Sequence, residues 1–508
     1  MAFHPTRLAI PTIFALTLCF TLLAPLLAAD PDPIPARLLP TPAKDTTYFL
    51  GPLRPDGTVD YIAALNQHLS QGITPDNNAA YALFAVIPPE RLAIEDQGGI
   101  ARLEAALGAP FPPARPIYRG IPSRDPDHPV GRHFYRAVEG PWTPAKVPVV
   151  ADWLAANQQA LDAVVQAVER DRAWWPLITD EPGVWFTSML LPELGETRPI
   201  ARGLTIRAHL ALAHAKPDDA LRDWIALQRL GRHTATNPIL ISRLVGYSVQ
   251  NIADQLAVRI LASPHLKPEH LHQMADHAAA SHPVHPIADA IDSAERVMLL
   301  NSLIQAASGR VAVEDVLEAQ GRFALRSPRF RIDPALRQIN RRYDQLVEMT
   351  RLPTATAFAL RLDQFIEELE AAQHPVTGMQ GREGDAADRF SAWLGDGMAG
   401  GLVMVIDPAF ASNLDANQQL ALVQLAIALR LYHFEHDRYP ATLDALTPKY
   451  IAELPVDRYD GRPLTYKPGP DGKTYLLYAL GRNGQDDGGI HNPRDADLAV
   501  GDPMPAGW

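Results

Sequence analysis

At 508 residues, with 47% hydrophobic and 20% charged side chains, the chain carries enough apolar matter for about two to four folding units, which excludes a disordered polymer. A formal charge of −12 without any long Lys/Arg run argues against nucleic acid as a partner and against docking on an anionic bilayer, since both need clustered cations. One cysteine, Cys19, excludes an internal disulfide.

The first elements read as an export signal. Arg7 supplies a short positive region, an apolar stretch runs from Leu8 to Leu27, and the small residues Ala28 and Ala29 precede Asp30. Two outcomes stay open: cleavage near Ala29, or retention of residues 1–29 as an anchor, because the stretch is nearly long enough to span a bilayer. Leu18 before Cys19, with apolar sequence following, speaks against lipidation; cleavage would leave a mature chain without any thiol chemistry.

Residues 30–147 form a proline-rich mixed region, with prolines clustered over 31–55 and 109–148. Tyr61–Ser70 reads as a short helix stopped by Gly72, and Thr74-Pro75 as a cap leading into a helix that runs to Val86. The stretch 109–148 is expected to be irregular, with a short strand pair.

Residues 148–400 are expected to form an α-helical domain. Trp153, Leu154, Leu161, Val164, Val165 and Val168 recur at helical spacing. Pro199–His214 and Ala220–His233, broken by Lys216-Pro217-Asp218, predict an antiparallel hairpin of tetratricopeptide type, without a second copy at a fixed period. Helical patterns resume at Ile239–Leu261, Pro268–Ala280, Ile287–Ser308, Pro334–Met349 and Ala355–Ala372, and a polar stretch from Gln373 to Asp388 reads as a linker.

Chemistry-bearing patterns in this region are weak. Gly395, Gly397 and Gly400 spell G-x-G-x-x-G, but a helix rather than a strand precedes them, so a flexible junction is the expectation. His265, His270, His272, His277, His282 and His285 crowd one segment without an H-E-x-x-H spacing and are expected on exposed helix faces. Trp174 and Trp175 are expected as buried anchors. Asp180-Glu181 carries no sign of acid–base work, and Ser248 misses the nucleophile-elbow pattern at its last position.

In the final region, 413–508, Asp415 and Gln418 form a capping-box pattern before Ala416–Glu435. That helix is apolar on nearly every side, which requires burial against strands on one face and the helical region on the other. There follow Arg438-Tyr439-Pro440, a short helix through Leu446, the Leu454-Pro455-Val456-Asp457 turn, and the Asp460-Gly461-Arg462-Pro463-Leu464 turn into a strand. A hairpin at Gly469–Gly472 then leads to a strand end at Tyr478-Ala479-Leu480-Gly481, and Asp495-Ala496-Asp497 closes the series. This order over about 85 residues resembles the soluble part of the major pseudopilin of type II secretion systems. The resemblance implies a small α+β module at the end of a mainly α protein. It also implies a calcium site, for which the matching side chains are Asp486, Asp487, Asp495 and Asp497. The methylated N-terminal helix and prepilin-peptidase site of the family are missing, so pilin-like polymerisation is not expected. The layout is similar instead to long exported proteins of planctomycete-type bacteria that end in this module.

Without a catalytic signature, the functional expectation is a non-catalytic binding or scaffold protein of the cell envelope, periplasmic, secreted or anchored to the inner membrane, with a protein partner and a calcium-stabilised terminal module. Two alternatives stand beside it: a secreted hydrolase with its active site in the helical region, and an accessory of a type II secretion-like machine.

Overall fold

The structure, a computed structural model, describes residues 38–87, 91–92, 98–112, 116–123, 125, 127–179, 189–191, 194–280, 284–310, 327–374, 377–380, 382–492 and 497–502. The export signal, Asp180-Glu181, His282 and Asp495 lie outside them. The described chain is mainly helical, with a small antiparallel sheet near its C-terminus.

Four short helices come first: α1 (Tyr61–Leu69), α2 (Ala79–Phe84), α3 (Gly99–Leu107) and α4 (Pro129–Glu139). Two expectations need correcting here. Helix α2 is capped by Asn78, whose side chain accepts from Ala80 N, and not by Thr74. Part of the proline-rich stretch is helical, because Pro129 sits at the first turn, where its missing N–H costs nothing, and His128 caps Val130 N. The preceding strap docks on distant helices: Asn340 Nδ2 donates to the carbonyls of Asp45 and Thr46, and Tyr48 donates to Asp292.

The body continues through α5 (Pro148–Val168), a two-residue strand pair β1 (Ile178–Thr179) and β2 (Met189–Leu190), α6 (Leu194–Ala213), α7 (Pro217–Ala235), α8 (Leu240–Leu261) and α9 (Pro268–Ala280). Pro217 starts α7 at its first turn, and Asp218 and Asp219 complement the positive end of the helix dipole. Helices α7 and α8 meet at two facing glycines. A Cβ on Gly246 would lie 2.8 Å from the Gly231 carbonyl oxygen and 2.7 Å from Ala235 Cβ.

Helix α10 (Ile287–Ala290) passes through a π turn at Ile291–Glu295 into α11 (Arg296–Ala307). There follow α12 (Ile332–Thr350), α13 (Ala355–Gln373) and α14 (Ala386–Gly400). The stretch expected as a linker in fact launches α14, through a capping box between Asp385 and Asp388. Gly395, Gly397 and Gly400 are helical residues of α14, so the junction expectation is corrected. Gly395 is there for packing, since a Cβ would stand 2.5 Å from the Ala335 carbonyl oxygen of α12. Asp396 of α14, almost fully buried, is held by Arg342 at 2.6 Å and Arg382 at 2.5 Å.

Helix α15 (Val403–His436) is the axis of the molecule. It starts a dozen residues before the expected Asp415 cap, and Asp415 is a buried mid-helix residue. The expected all-round burial is observed: α15 packs on α8 and α9 on one side and on the sheet on the other. That sheet is a meander of β3 (Thr465–Pro468), β4 (Tyr475–Ala479) and β5 (Leu498–Asp502), in order β3-β4-β5. The hairpin at Gly469–Gly472 joins β3 to β4 as expected, whereas β5 went unread. One continuous core runs from Leu38 to Val500. No single helix among the described residues is long and apolar enough to cross a membrane; α14 with α15, bent by 43°, passes that test only as a pair, and most of α15 is interior.

Candidate functional site

A large concavity, about 860 Å³, opens where four helices and the C-terminal region converge. Phe134, Tyr135, Val138 and Glu139 come from α4, and Arg202, Thr205 and His209 from one face of α6. A polar stripe of α8, Ser248, Asn251, Gln255 and Arg259, lines its floor, and Asp415 with Arg482 and His491 closes one end. Residues more than 300 positions apart therefore share one cavity.

Its titratable groups are largely committed to the fold. Arg482 Nε donates to Asp415 Oδ2 at 2.8 Å, its Nη2 bonds the same carboxylate, and Tyr459 OH donates to Asp415 Oδ1. This pair ties the C-terminal region to α15. His491 Nδ1 accepts from Ala499 N at 3.1 Å, and burial lowers its pKa to about 4. Tyr135 hydrogen-bonds Glu139, and that carboxylate raises the phenol's pKa.

His209 differs. Its Nδ1 lies 3.1 Å from the Ala137 carbonyl oxygen, which can only accept, so Nδ1 carries the proton. Nε2 is left as a buried lone pair without a hydrogen-bond partner among the described residues, and burial, outweighing the bond to Ala137, lowers the pKa to about 4. The imidazole is neutral across ordinary pH. Ser248, the residue that missed the elbow pattern, lies mid-helix on α8 rather than on a strained strand-to-helix turn.

The four acidic residues expected to ligate calcium are placed in part. Asp486 Oδ1 accepts from Gly488 N at 2.9 Å and Tyr478 OH at 3.0 Å, and Asp487 Oδ2 accepts from Asn483 Nδ2 at 2.8 Å. Asp497 is fully buried; Oδ2 accepts from Gly489 N at 2.8 Å, whereas Oδ1 has no hydrogen-bond partner among the described residues. Burial raises its pKa, and the charges of Asp487 and Asp486 add to the rise. A hard cation would compensate that unpaired oxygen, so the residue types fit calcium. Among the described residues, however, no three His, Cys, Asp or Glu side chains form a ligand set, and Asp495 lies outside them.

The histidine segment is more interior than expected. His270 is buried, with Nδ1 accepting from Lys267 N and Nε2 3.2 Å from Asp218, while His277 stacks edge-on against the buried Trp224. His272 is exposed as expected. Trp174 and Trp175 are buried anchors, and Trp175 Nε1 donates to the His233 carbonyl at 2.9 Å. Sequence reasoning missed the large cleft altogether, although Ser248, Asn251, Gln255 and Arg259 recur at helical spacing along one side of α8.

Comparison of the chain with protein-family models, curated proteins and solved structures gives no match.

Proposed function

We propose that the protein is an exported, non-catalytic binding protein of the cell envelope, and that its large cleft takes a segment of a protein partner. The observation that carries this reading is the use of the cleft's ionisable groups. Asp415, Arg482 and His491 are consumed by the fold, while Tyr135, Arg202 and Arg259 offer the aromatic and guanidinium surface from which interface hot spots are built. Ser248→Trp tests it by filling the cleft from the middle of α8. The expected outcome is loss of partner binding with the thermal unfolding midpoint nearly unchanged; full binding by a folded variant would move the site elsewhere.

His209 supports a second reading, a hydrolase of the envelope, since a neutral imidazole with a fixed tautomer is what a general base requires. Reproducible turnover of an ester, peptide or glycoside, abolished by His209→Asn in a folded variant, would replace the binding reading with this one.

The C-terminal region is proposed to be a pseudopilin-like module that binds calcium through Asp486, Asp487, Asp495 and Asp497. Support comes from the ordered series of turns and from the unpaired buried oxygen of Asp497. A cation that binds only the folded state raises stability, by about 2.7 kcal/mol at a hundredfold excess over its Kd. Calcium is expected to raise the unfolding midpoint of the mature chain relative to chelator, and Asp497→Asn to remove the rise. An equal midpoint in calcium and chelator would leave Asp497 a buried structural acid. The accessory role in a secretion machine depends on this module; absence of any pseudopilin among cross-linked partners would discard it.

A further inference from the structure

A second concavity, about 550 Å³, is lined by residues of α7 and by the ends of α5 and α9. Arg170 and Arg172, just past the end of α5, form one wall, and Arg229 and Arg232 of α7 face them. None of these four guanidiniums is ion-paired among the described residues. Arg170 spends Nη1 on the carbonyls of Pro75 and Asn78, Arg172 bonds the Gln71 carbonyl, and Arg232 bonds the Ala280 carbonyl at 3.3 Å. Arg229 donates no side-chain hydrogen bond to any described residue and stands half-buried beside the cavity.

Two acids, Glu169 and Asp171, also line the cavity, both exposed, and the C-terminal ends of α5, α7 and α9 add partial negative charge. Three histidines, His233, His277 and His285, record which sign prevails. Each has its pKa lowered to about 4, by burial first and then by cations: Arg232 and Arg229 at His233, Arg229 and Arg232 at His277, and Arg243 and Arg232 at His285. Carbonyl contacts at Val168 and Arg170 oppose the shift at His233 without reversing it. At these three rings the arginines are the charges that act.

We propose that this second cleft is an oxyanion site, built to take a phosphate-bearing ligand between the arginines of α7 and those that follow α5. This goes beyond the binding reading above, which concerns a different cavity. A multiply charged anion seated there would offset the field of Arg229 and Arg232 at the histidines. Binding would then take up protons and tighten as the pH falls.

The test uses the mature full-length protein and inorganic sulfate, whose charge does not change between pH 5 and pH 8, so any pH dependence belongs to the protein. Calorimetric titrations at about 0.1 M salt, where surface attraction is largely screened, are expected to show one saturable site. It should bind more tightly at the lower pH, with net proton uptake measured in buffers of different ionisation enthalpy. Inorganic phosphate should compete for the site. Each charged hydrogen bond lost is expected to weaken binding about tenfold, so Arg229→Gln with Arg232→Gln should nearly abolish it. Arg172→Gln, at an exposed position, covers the case in which the double variant fails to fold, and should weaken binding in the same direction. Absence of a saturable site in the wild-type protein, or equal affinity in the folded variants, would overturn the proposal and leave these arginines as caps of helix ends.

Discussion

The two clefts, one lined by α8 and the other by α7, treat charge in opposite ways. In the large cleft the Arg482–Asp415 pair neutralises itself and Tyr459 completes the carboxylate's bonding, so the charge serves to fasten the C-terminal region. In the smaller one Arg229 and Arg232 form no ion pair among the described residues, and burial holds nearby histidines neutral. The contrast teaches that counting charged residues in a cavity says little. What decides is whether each charge already has its partner inside the fold.

The packing of α7 on α8 offers the largest effect. Asp254 of α8 is fully buried, accepts one bond from Gln228 Nε2 at 2.9 Å, and burial raises its pKa to about 8. A carboxyl raised in the folded state leaves stability intact below the unfolded pKa of about 4 and drains it as pH rises toward 8, because only the unfolded chain can ionise freely. Asp254→Asn removes that loss. The variant should match the wild type near pH 3.5 and exceed it at pH 8 by on the order of 5 kcal/mol, read from denaturant unfolding at the two pH values. A constant difference between the two proteins across that range would mean that Asp254 is already paired.

Next comes the pair that fastens the C-terminal region. Asp415→Ala strands Arg482 and the Tyr459 hydroxyl. It should cost about 2–4 kcal/mol, less than for a fully buried pair because about a third of the Arg482 side chain stays in water. If the large cleft depends on this clasp, partner binding should fall with it. A smaller cost, about 1–3 kcal/mol from overpacking, is expected for Gly395→Ala, whose new methyl meets the Ala335 carbonyl. That variant should leave sulfate affinity untouched, which separates the G-x-G-x-x-G pattern from anion binding.

Much of the helical framework was legible because its signals are local. Trp153, Leu161, Val164 and Val168 recur at helical spacing, and the apolar run through Leu420, Leu422, Leu425 and Leu429 demanded burial on both sides. Where long-range partners decide, local reading failed. Asp415 followed by Gln418 looks like a helix cap, yet its actual role is set by Arg482, 67 residues later. The five residues of β5 are too short to announce themselves and exist by pairing with β4. The glycines at 395–400 mimic a phosphate loop because close helix crossings use the same residue. The large cleft was illegible for a related reason, since α4, α6, α8 and α15 each contribute only a few of its residues.

The most direct test of the binding reading is site-specific photocross-linking in living cells. A photoreactive phenylalanine would replace Tyr135, which is 52% exposed at the cleft, with Leu360, 63% exposed, carrying it as control. The expected result is a discrete protein adduct from position 135 that disappears when Ser248→Trp fills the cleft, with none from position 360. Equal labelling from both positions, or no adduct from the cleft, would contradict the account.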